Sequence, residues 1–320
     1  MTTWVLNRPT DLSTLDFFSL HGPAVADIRT GSHYRQSAGA LALDFLGDGF
    51  LYDGDRLLPF GSVEFVRLSD ALDTLIQIGD MVWHLLKVLS YYNPLTDHWD
   101  DDSLLDYLFD WIDDITGSSG DDTFCGHGGD DIVRGEGGID TALYEGARQR
   151  WSIERTGDGW RATDTQGSDG VDTLSGVERL HFDDGALALD LDGHAGTVAR
   201  LIGALFGAGA LQQPDLVGTG LALLDQGMTE RDLAALAATS PLFEVHAGGT
   251  SNAAFVEAVY RHVTGAQPTA DERDHYVGLL ESGAHTRGSL ALFAAETDAL
   301  AQMIGLAAWA DEGLPYAPMG

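Results

Sequence analysis

Residues Gly117–Leu143 read GSSGDDTFC, GHGGDDIVR, GEGGIDTAL: three lines of nine residues, each with Gly, Gly and Asp at its first, fourth and sixth positions. Gly117, Gly120, Gly126, Gly129, Gly135 and Gly138 recur where a six-residue turn must bend tightly and bring its carbonyl oxygens together, which side chains would hinder. Asp122, Asp131 and Asp140 add one carboxylate per turn. The triplets that follow, Thr123-Phe124-Cys125, Ile132-Val133-Arg134 and Thr141-Ala142-Leu143, each suit one short strand with its middle side chain inward. Phe124, Val133 and Ala142 are therefore the expected core. Upstream, Asp113-Asp114-Ile115-Thr116 reads as the end of a degenerate earlier repeat, with Asp113 at the acidic position and Ile115 inward. A flexible acidic linker has no reason to hold Gly and Asp in this register three times running.

The nonapeptide resembles the G-G-x-G-x-D-x-U-x repeat of RTX proteins. That resemblance implies a short parallel β-roll with calcium-binding turns on opposite edges, each ion bridging turn n and turn n+2. Carried onto this chain, Asp122 and Asp140 share one ion, and Asp131 pairs with Asp113 or with a residue downstream. Calcium takes six to eight oxygen ligands in a tolerant geometry, which suits carbonyls plus one carboxylate from each of two turns. The candidate ligands are Asp113, Gly117, Ser119, Asp121, Asp122, Gly126, Gly128, Asp130, Asp131, Gly135, Gly137 and Asp140. Gly167–Leu174 repeats the turn register once more and adds Asp172, for which an ordinary turn aspartate is the competing reading.

With 17 basic and 50 acidic residues, a net charge of −33 argues against nucleic acid or an anionic membrane as partner and favours cations. The acidity runs along the whole chain, so only part of it is ligand chemistry. Without calcium the clustered carboxylates of the middle segment should keep it unfolded, which makes metal binding and folding one event. Extracellular-class sites bind at roughly 10⁻⁴ to 10⁻³ M, so export would act as the folding switch. Cys125 is the single cysteine and excludes an intramolecular disulfide framework. Met1–Phe18 lacks the basic and apolar regions of a Sec signal peptide, and no run of 18 apolar residues is present. These traits resemble type I secretion substrates, which implies a partnership with that machinery, an export signal in the Leu306–Gly320 tail and an extracellular or cell-surface location.

The expected fold class is multidomain α+β: an N-terminal β-rich domain over 1–79, a helical cap or linker over 80–113, the β-roll with a hairpin extension over 114–193, and a helical domain over 194–320. Leu41–Phe45, Gly49–Asp55, Ser62–Leu68 and Thr74–Ile78 alternate as strands after an irregular start, resembling β-modules that precede RTX repeats. Met81–Leu89 and Leu104–Ile112 have helical spacing and are expected to cap the roll. Asp97, Asp100, Asp101 and Asp102 read as a solvated loop and helix start, without the glycine of a calcium-binding EF-hand loop. Trp151–Arg155 and Trp160–Asp164 flank a hairpin at Gly157-Asp158-Gly159. From Ala195 onward a helical pattern runs twice at an offset of 56 to 57 residues, and FVEAVYRHVTG at Phe255–Gly265 resembles a helical domain of unknown function that often follows RTX repeats.

No His-Glu-x-x-His and no Gly-x-Ser-x-Gly is present, so no enzyme is expected. His84 and His262 lie in helical patterns where a partly buried structural role outweighs catalysis, and Trp83, Trp99 and Trp111 read as core more readily than as a sugar-binding face. The expectation is a secreted calcium-binding protein that self-associates into a surface layer, filament or biofilm matrix; a calcium-dependent adhesin for cell-surface or matrix glycans is the alternative.

Overall fold

The computed structural model describes residues 113–320 apart from Gly126, Asp158, Ser168 and Gly320, and, upstream, the backbone of strands between Thr2 and Trp99. The chain divides into two compact units, Met1–Val177 and Glu178–Gly320. An N-terminal β-rich region is followed by a C-terminal α-helical bundle.

In the first unit the triplets pair in parallel with the triplet two repeats on. Thr123–Cys125 pairs with Thr141–Leu143, placing Phe124 opposite Ala142. Asp113–Thr116 pairs with Ile132–Arg134, and Ile132–Arg134 with Val171–Ser175, placing Ile115, Val133 and Leu174 in line. Alternate triplets thus enter two different sheets, and their middle residues Ile115, Phe124, Val133, Ala142 and Leu174 are all buried. The alternation of inward and outward side chains along each strand produces this pattern.

The chain leaves that register after Leu143 and recovers it at Val171. The excursion contains the expected hairpin, Trp151–Arg155 against Trp160–Asp164, whose second strand pairs antiparallel with Val171–Ser175. Arg150 closes it with a two-pronged bond to Asp164 (3.0 and 2.7 Å) and a further 2.7 Å bond to Asp169.

On its other side Asp113–Thr116 pairs in parallel with Thr2–Leu6, which pairs antiparallel with Thr74–Gly79. The same sheet continues through Ser62–Ser69, Leu41–Asp48, His33–Ala38 and Val25–Arg29. The start of the chain is therefore less irregular than its composition suggested. Trp83–His84, expected in a helix, is a short strand against Ser62–Val63. An apolar run of this length carries too little periodicity to separate helix from strand, and pairing with a distant segment decides it. The rest of that run, Leu104–Ile112, Asp97 and Asp100–Asp102 lie outside the described residues.

The second unit begins with Arg179–Phe182 and Gly185–Ala188, joined antiparallel by Leu314–Tyr316 from the end of the chain. Between them run α1 (His194–Phe206), α2 (Pro214–Asp225), α3 (Glu230–Ala238), α4 (Pro241–Ala247), α5 (Asn252–Thr264), α6 (Ala270–Glu281), α7 (Arg287–Ala295), α8 (Asp298–Met303) and α9 (Leu306–Glu312). Helices α1–α4 and α5–α8 are two copies of one pattern, with corresponding starts 56–58 residues apart. Hydroxyl caps recur at matching starts: Thr229 and Thr286 before α3 and α7, Ser240 and Thr297 before α4 and α8, each accepting a backbone N–H. Glycines with positive φ recur at matching ends, as Gly207 and Gly265 and as Gly227 and Gly283.

Phe255 of α5 is 1% exposed and its ring lies 5.4 Å from that of Phe243 in α4. Phe255→Ala is expected to lower the stability of the second unit by about 3–5 kcal/mol, read from urea unfolding followed by circular dichroism. A loss below about 1 kcal/mol would contradict this packing.

Candidate metal centre

The inner aspartates of the repeat stand in two rows. In one, the Asp113 N–H donates to Asp131 Oδ1 at 2.8 Å and the Asp131 N–H donates to Asp172 Oδ1 at 3.1 Å. In the other, the Asp122 N–H donates to Asp140 Oδ1 at 2.8 Å. Asp131 therefore faces both Asp113 upstream and Asp172 downstream, and Asp172 takes the repeat role in spite of the intervening excursion. All five side chains lie in residues no more than 4% exposed.

The outer acid of each pair acts differently. Asp121 accepts from the Ile139 N–H at 2.8 Å and Asp130 from the Val171 N–H at 2.9 Å, so these exposed residues fasten a turn to the turn two repeats on. Main-chain bonds follow the same step: Gly117 N–H to Arg134 O at 2.7 Å, Gly135 N–H to Ser175 O at 2.9 Å, Thr141 N–H to Asp122 O at 2.9 Å and Thr173 N–H to Asp131 O at 2.8 Å.

Two first-position glycines test whether a hard cation suits these turns. A Cβ on Gly135 would fall on the Gly176 carbonyl oxygen and 2.5 Å from Asp140 Oδ2. One on Gly117 would fall on the Gly135 carbonyl oxygen and 3.0 Å from Asp122 Oδ2. At both places a carbonyl and a carboxylate converge where only glycine leaves room. The donors are all oxygen, which suits calcium and not a soft metal. Among the described residues no three His, Cys, Asp or Glu side chains gather as a metal-holding group, and no catalytic metal cluster is present. A cation at these turns would take carboxylates singly or in pairs and its other ligands from the main chain. The network of Asp113, Asp122, Asp131, Asp140 and Asp172 is consistent with a calcium-binding turn architecture.

Of the remaining sequence candidates, Ser119 is exposed, Gly128 and Gly137 are half-buried, and Gly126 lies outside the described residues. Tyr144, which the sequence reading missed, occupies the place of the next first-position glycine. It is buried and hydrogen-bonds to Asp172. The only signal for it was the break in register.

Burial, reinforced by Asp172, pushes the Asp131 carboxyl up to about 8. Burial likewise pushes Asp172 up to about 7, against the stabilising Asp131 N–H and Tyr144 hydroxyl. Asp131 and Asp172 are thus inward carboxyls that ionise with difficulty unless a cation accompanies them.

The family model described as "Domain of unknown function (DUF4214)" matches residues 234–299, which span most of α3 through the start of α8. The chain therefore carries a DUF4214 α-helical domain after a β-rich region, and the match takes in α3 and α4 of the first copy of the helical pattern as well as α5–α7 of the second. No curated protein matches the chain. Among the described residues no helix is long and apolar enough to cross a membrane.

A carboxyl whose pKa is higher in the fold than in the unfolded chain holds its proton more tightly when folded. Its stabilising effect is complete below the ordinary value of 3.8 and is lost as pH rises through the folded values of about 7 and 8. The melting temperature of the chain in chelator is therefore expected to fall between pH 5 and pH 8. Added calcium should raise it more at pH 8 than at pH 5, because the ion displaces protons at low pH. The opposite trend in calorimetry would refute the assignment.

His127 and Glu136, both at the second repeat position, have left-handed φ values of 53° and 70°. Such a conformation costs a side-chain-bearing residue on the order of 1 kcal/mol. Glu136→Gly should accordingly be neutral to mildly stabilising, while Glu136→Val should cost about 1 kcal/mol or more. Thermal unfolding of the two variants in calcium checks their order.

Proposed function

We propose that this chain is a secreted calcium-binding structural protein. Its nonapeptide turns form a short RTX-type β-roll that orders on calcium outside the cell, and copies of the chain then assemble into a surface layer, filament or matrix. The observation that carries this reading is the pair of aspartate rows, five buried carboxylates stacked at glycine-lined turns. Asp113, Asp122, Asp131, Asp140 and Asp172 would supply carboxylates, and Gly117, Ser119, Gly126, Gly128, Gly135 and Gly137 carbonyls. The roll and its hairpin occupy 114–193, between the β-rich 1–79 with its linker and the helical 194–320, whose tail serves as the export signal.

Two features support assembly. Alternate repeats extend one long sheet whose terminal strands, among the described residues, are Val25–Arg29 and Trp151–Arg155, and terminal strands present main-chain groups to a second molecule. Calcium at the turns would fix the strands that lead to that edge. Binding of glycans as an adhesin is the second reading, favoured by a cavity of about 360 Å³ where Tyr260, Tyr276 and Phe293 meet Glu272.

Electron microscopy and light scattering of the purified chain at about millimolar calcium, and again in chelator, separate the two readings. Ordered fibres or sheets only with calcium are expected. A monomer in both conditions overturns assembly and leaves glycan binding to be measured on an array. Asp131→Asn is expected to weaken calcium binding by at least about tenfold, equal to about 1.4 kcal/mol. By removing a buried charge it should also raise the melting temperature in chelator at pH 8. Unchanged calcium affinity in titration calorimetry would remove Asp131 from the ligand set.

A further inference from the structure

We propose that His246 and His262 form a second metal site in the helical unit, one that takes a borderline transition-metal cation such as zinc. Their Nε2 atoms are 3.3 Å apart. Two imidazoles bound to one tetrahedral zinc at about 2.0–2.1 Å place their ligating nitrogens about 3.3–3.4 Å apart, so the pair is already spaced for a shared ion. His262 Nδ1 lies 3.1 Å from the Ala204 carbonyl, which accepts its proton and leaves Nε2 with the lone pair a metal requires. Burial lowers the pKa of His262, with smaller contributions from His246 and Arg261, and keeps that ring neutral.

The surroundings favour a cation. His246 is in the last turn of α4, His262 in the last turn of α5, and Ala204 in the last turn of α1. Three helix C-termini, each the negative end of a helix dipole, thus meet at the pair. Arg261 is the nearby charge that opposes it. The left-handed Gly207 leaves the space that the His262 ring fills, since a Cβ there would lie 3.2 Å from His262 Cδ2. His246 is exposed, so the coordination positions not filled by the two histidines are open to water.

The internal duplication argues against a purely structural role. In the alternate copies of the helical pattern the positions of His262 and His246 are held by Ala204 and Met303, so the helices pack without histidine at either place. Without metal the geometry is served by a hydrogen bond from His246 Nε2–H to His262 Nε2. Binding moves the His246 proton to Nδ1 and gives both Nε2 lone pairs to the ion.

The test is zinc titration of the full chain by calorimetry with calcium held at saturation, so that the aspartate turns do not compete. Wild type should bind one zinc saturably and melt higher with it. His246→Gln and His262→Gln should each weaken that binding at least tenfold, while His275→Gln, on the exposed face of α6, leaves it unchanged. The exposed position of His246 means that His246→Gln should melt normally without zinc. Zinc affinity unaffected by His246→Gln, or no saturable binding up to millimolar zinc, overturns the site and leaves the pair as a hydrogen bond.

Discussion

Asp131, Asp172 and Asp140 each accept a hydrogen bond from the main chain of the inner aspartate one step earlier in the row, so buried carboxyls stand in line. Burial, reinforced for Asp131 by Asp172, raises the proton affinity of Asp131 and Asp172 and favours a proton or a cation there. The same aspartates also tie the triplets together, through the main-chain bonds Thr141 N–H to Asp122 O and Thr173 N–H to Asp131 O. Apolar packing alone is modest in this region: the aligned inward residues are Ile115, Phe124, Val133, Ala142 and Leu174, one per strand. The inward side chains set the register in which the triplets pair.

Most of this geometry was legible in the sequence because every repeat states it again. Fixed glycines name the turns, the sixth-position aspartate names the row, and the middle of the triplet names the core. The hairpin was legible for a similar reason, as two strand-like runs meet at Gly157-Asp158-Gly159. What was not legible is non-local. Nothing in Thr2–Leu6 states that it will pair with Asp113–Thr116, since strand partners are chosen by the edge that folding presents and not by local composition. The same cause turned Trp83–His84 from helix to strand. The distinct tasks of Asp121 and Asp122 were also hidden, because adjacent aspartates look alike until the backbone sends one side chain inward and the other toward Ile139.

The helical unit shows how a duplicated frame lets its interior diverge. Val198, Leu201, Ile202 and Leu233 line a cavity of about 220 Å³ in one copy, and their counterparts Val256, Val259, Tyr260 and Leu290 line the larger cavity in the other. In the first the walls are apolar. In the second Tyr260 replaces Ile202 and Glu272 replaces Leu216, and the Tyr260 hydroxyl donates to Glu272 at 2.7 Å. Glu272 also accepts from the Thr269 hydroxyl at 2.6 Å and the Thr269 N–H at 2.8 Å in the cap of α6, and the Thr269 hydroxyl, followed by the Tyr260 hydroxyl, holds its carboxyl below the usual range. The caps and turn glycines that define the helices are kept while side chains between them change from apolar to polar. The His246–His262 pair belongs to the same divergence.

The excursion after Leu143 makes a related point about tolerance. A long insertion between two repeats costs little if its ends remain where the register needs them, because loop closure grows only slowly with length. Here three residues hold the ends. Arg150 binds Asp164 and Asp169, Trp151 donates its ring N–H to the Glu145 carbonyl at 3.0 Å, and the Tyr144 ring packs tilted against Trp151 at 4.4 Å while its hydroxyl bonds to Asp172. Tyr144 stands where a glycine would have begun the next turn, and Gly176 supplies the carbonyl that meets Gly135. The insertion thus interrupts the sequence period without interrupting the aspartate row. In this chain the physical repeat is the stacking of turns, and the nine-residue spacing is the shortest way of writing it.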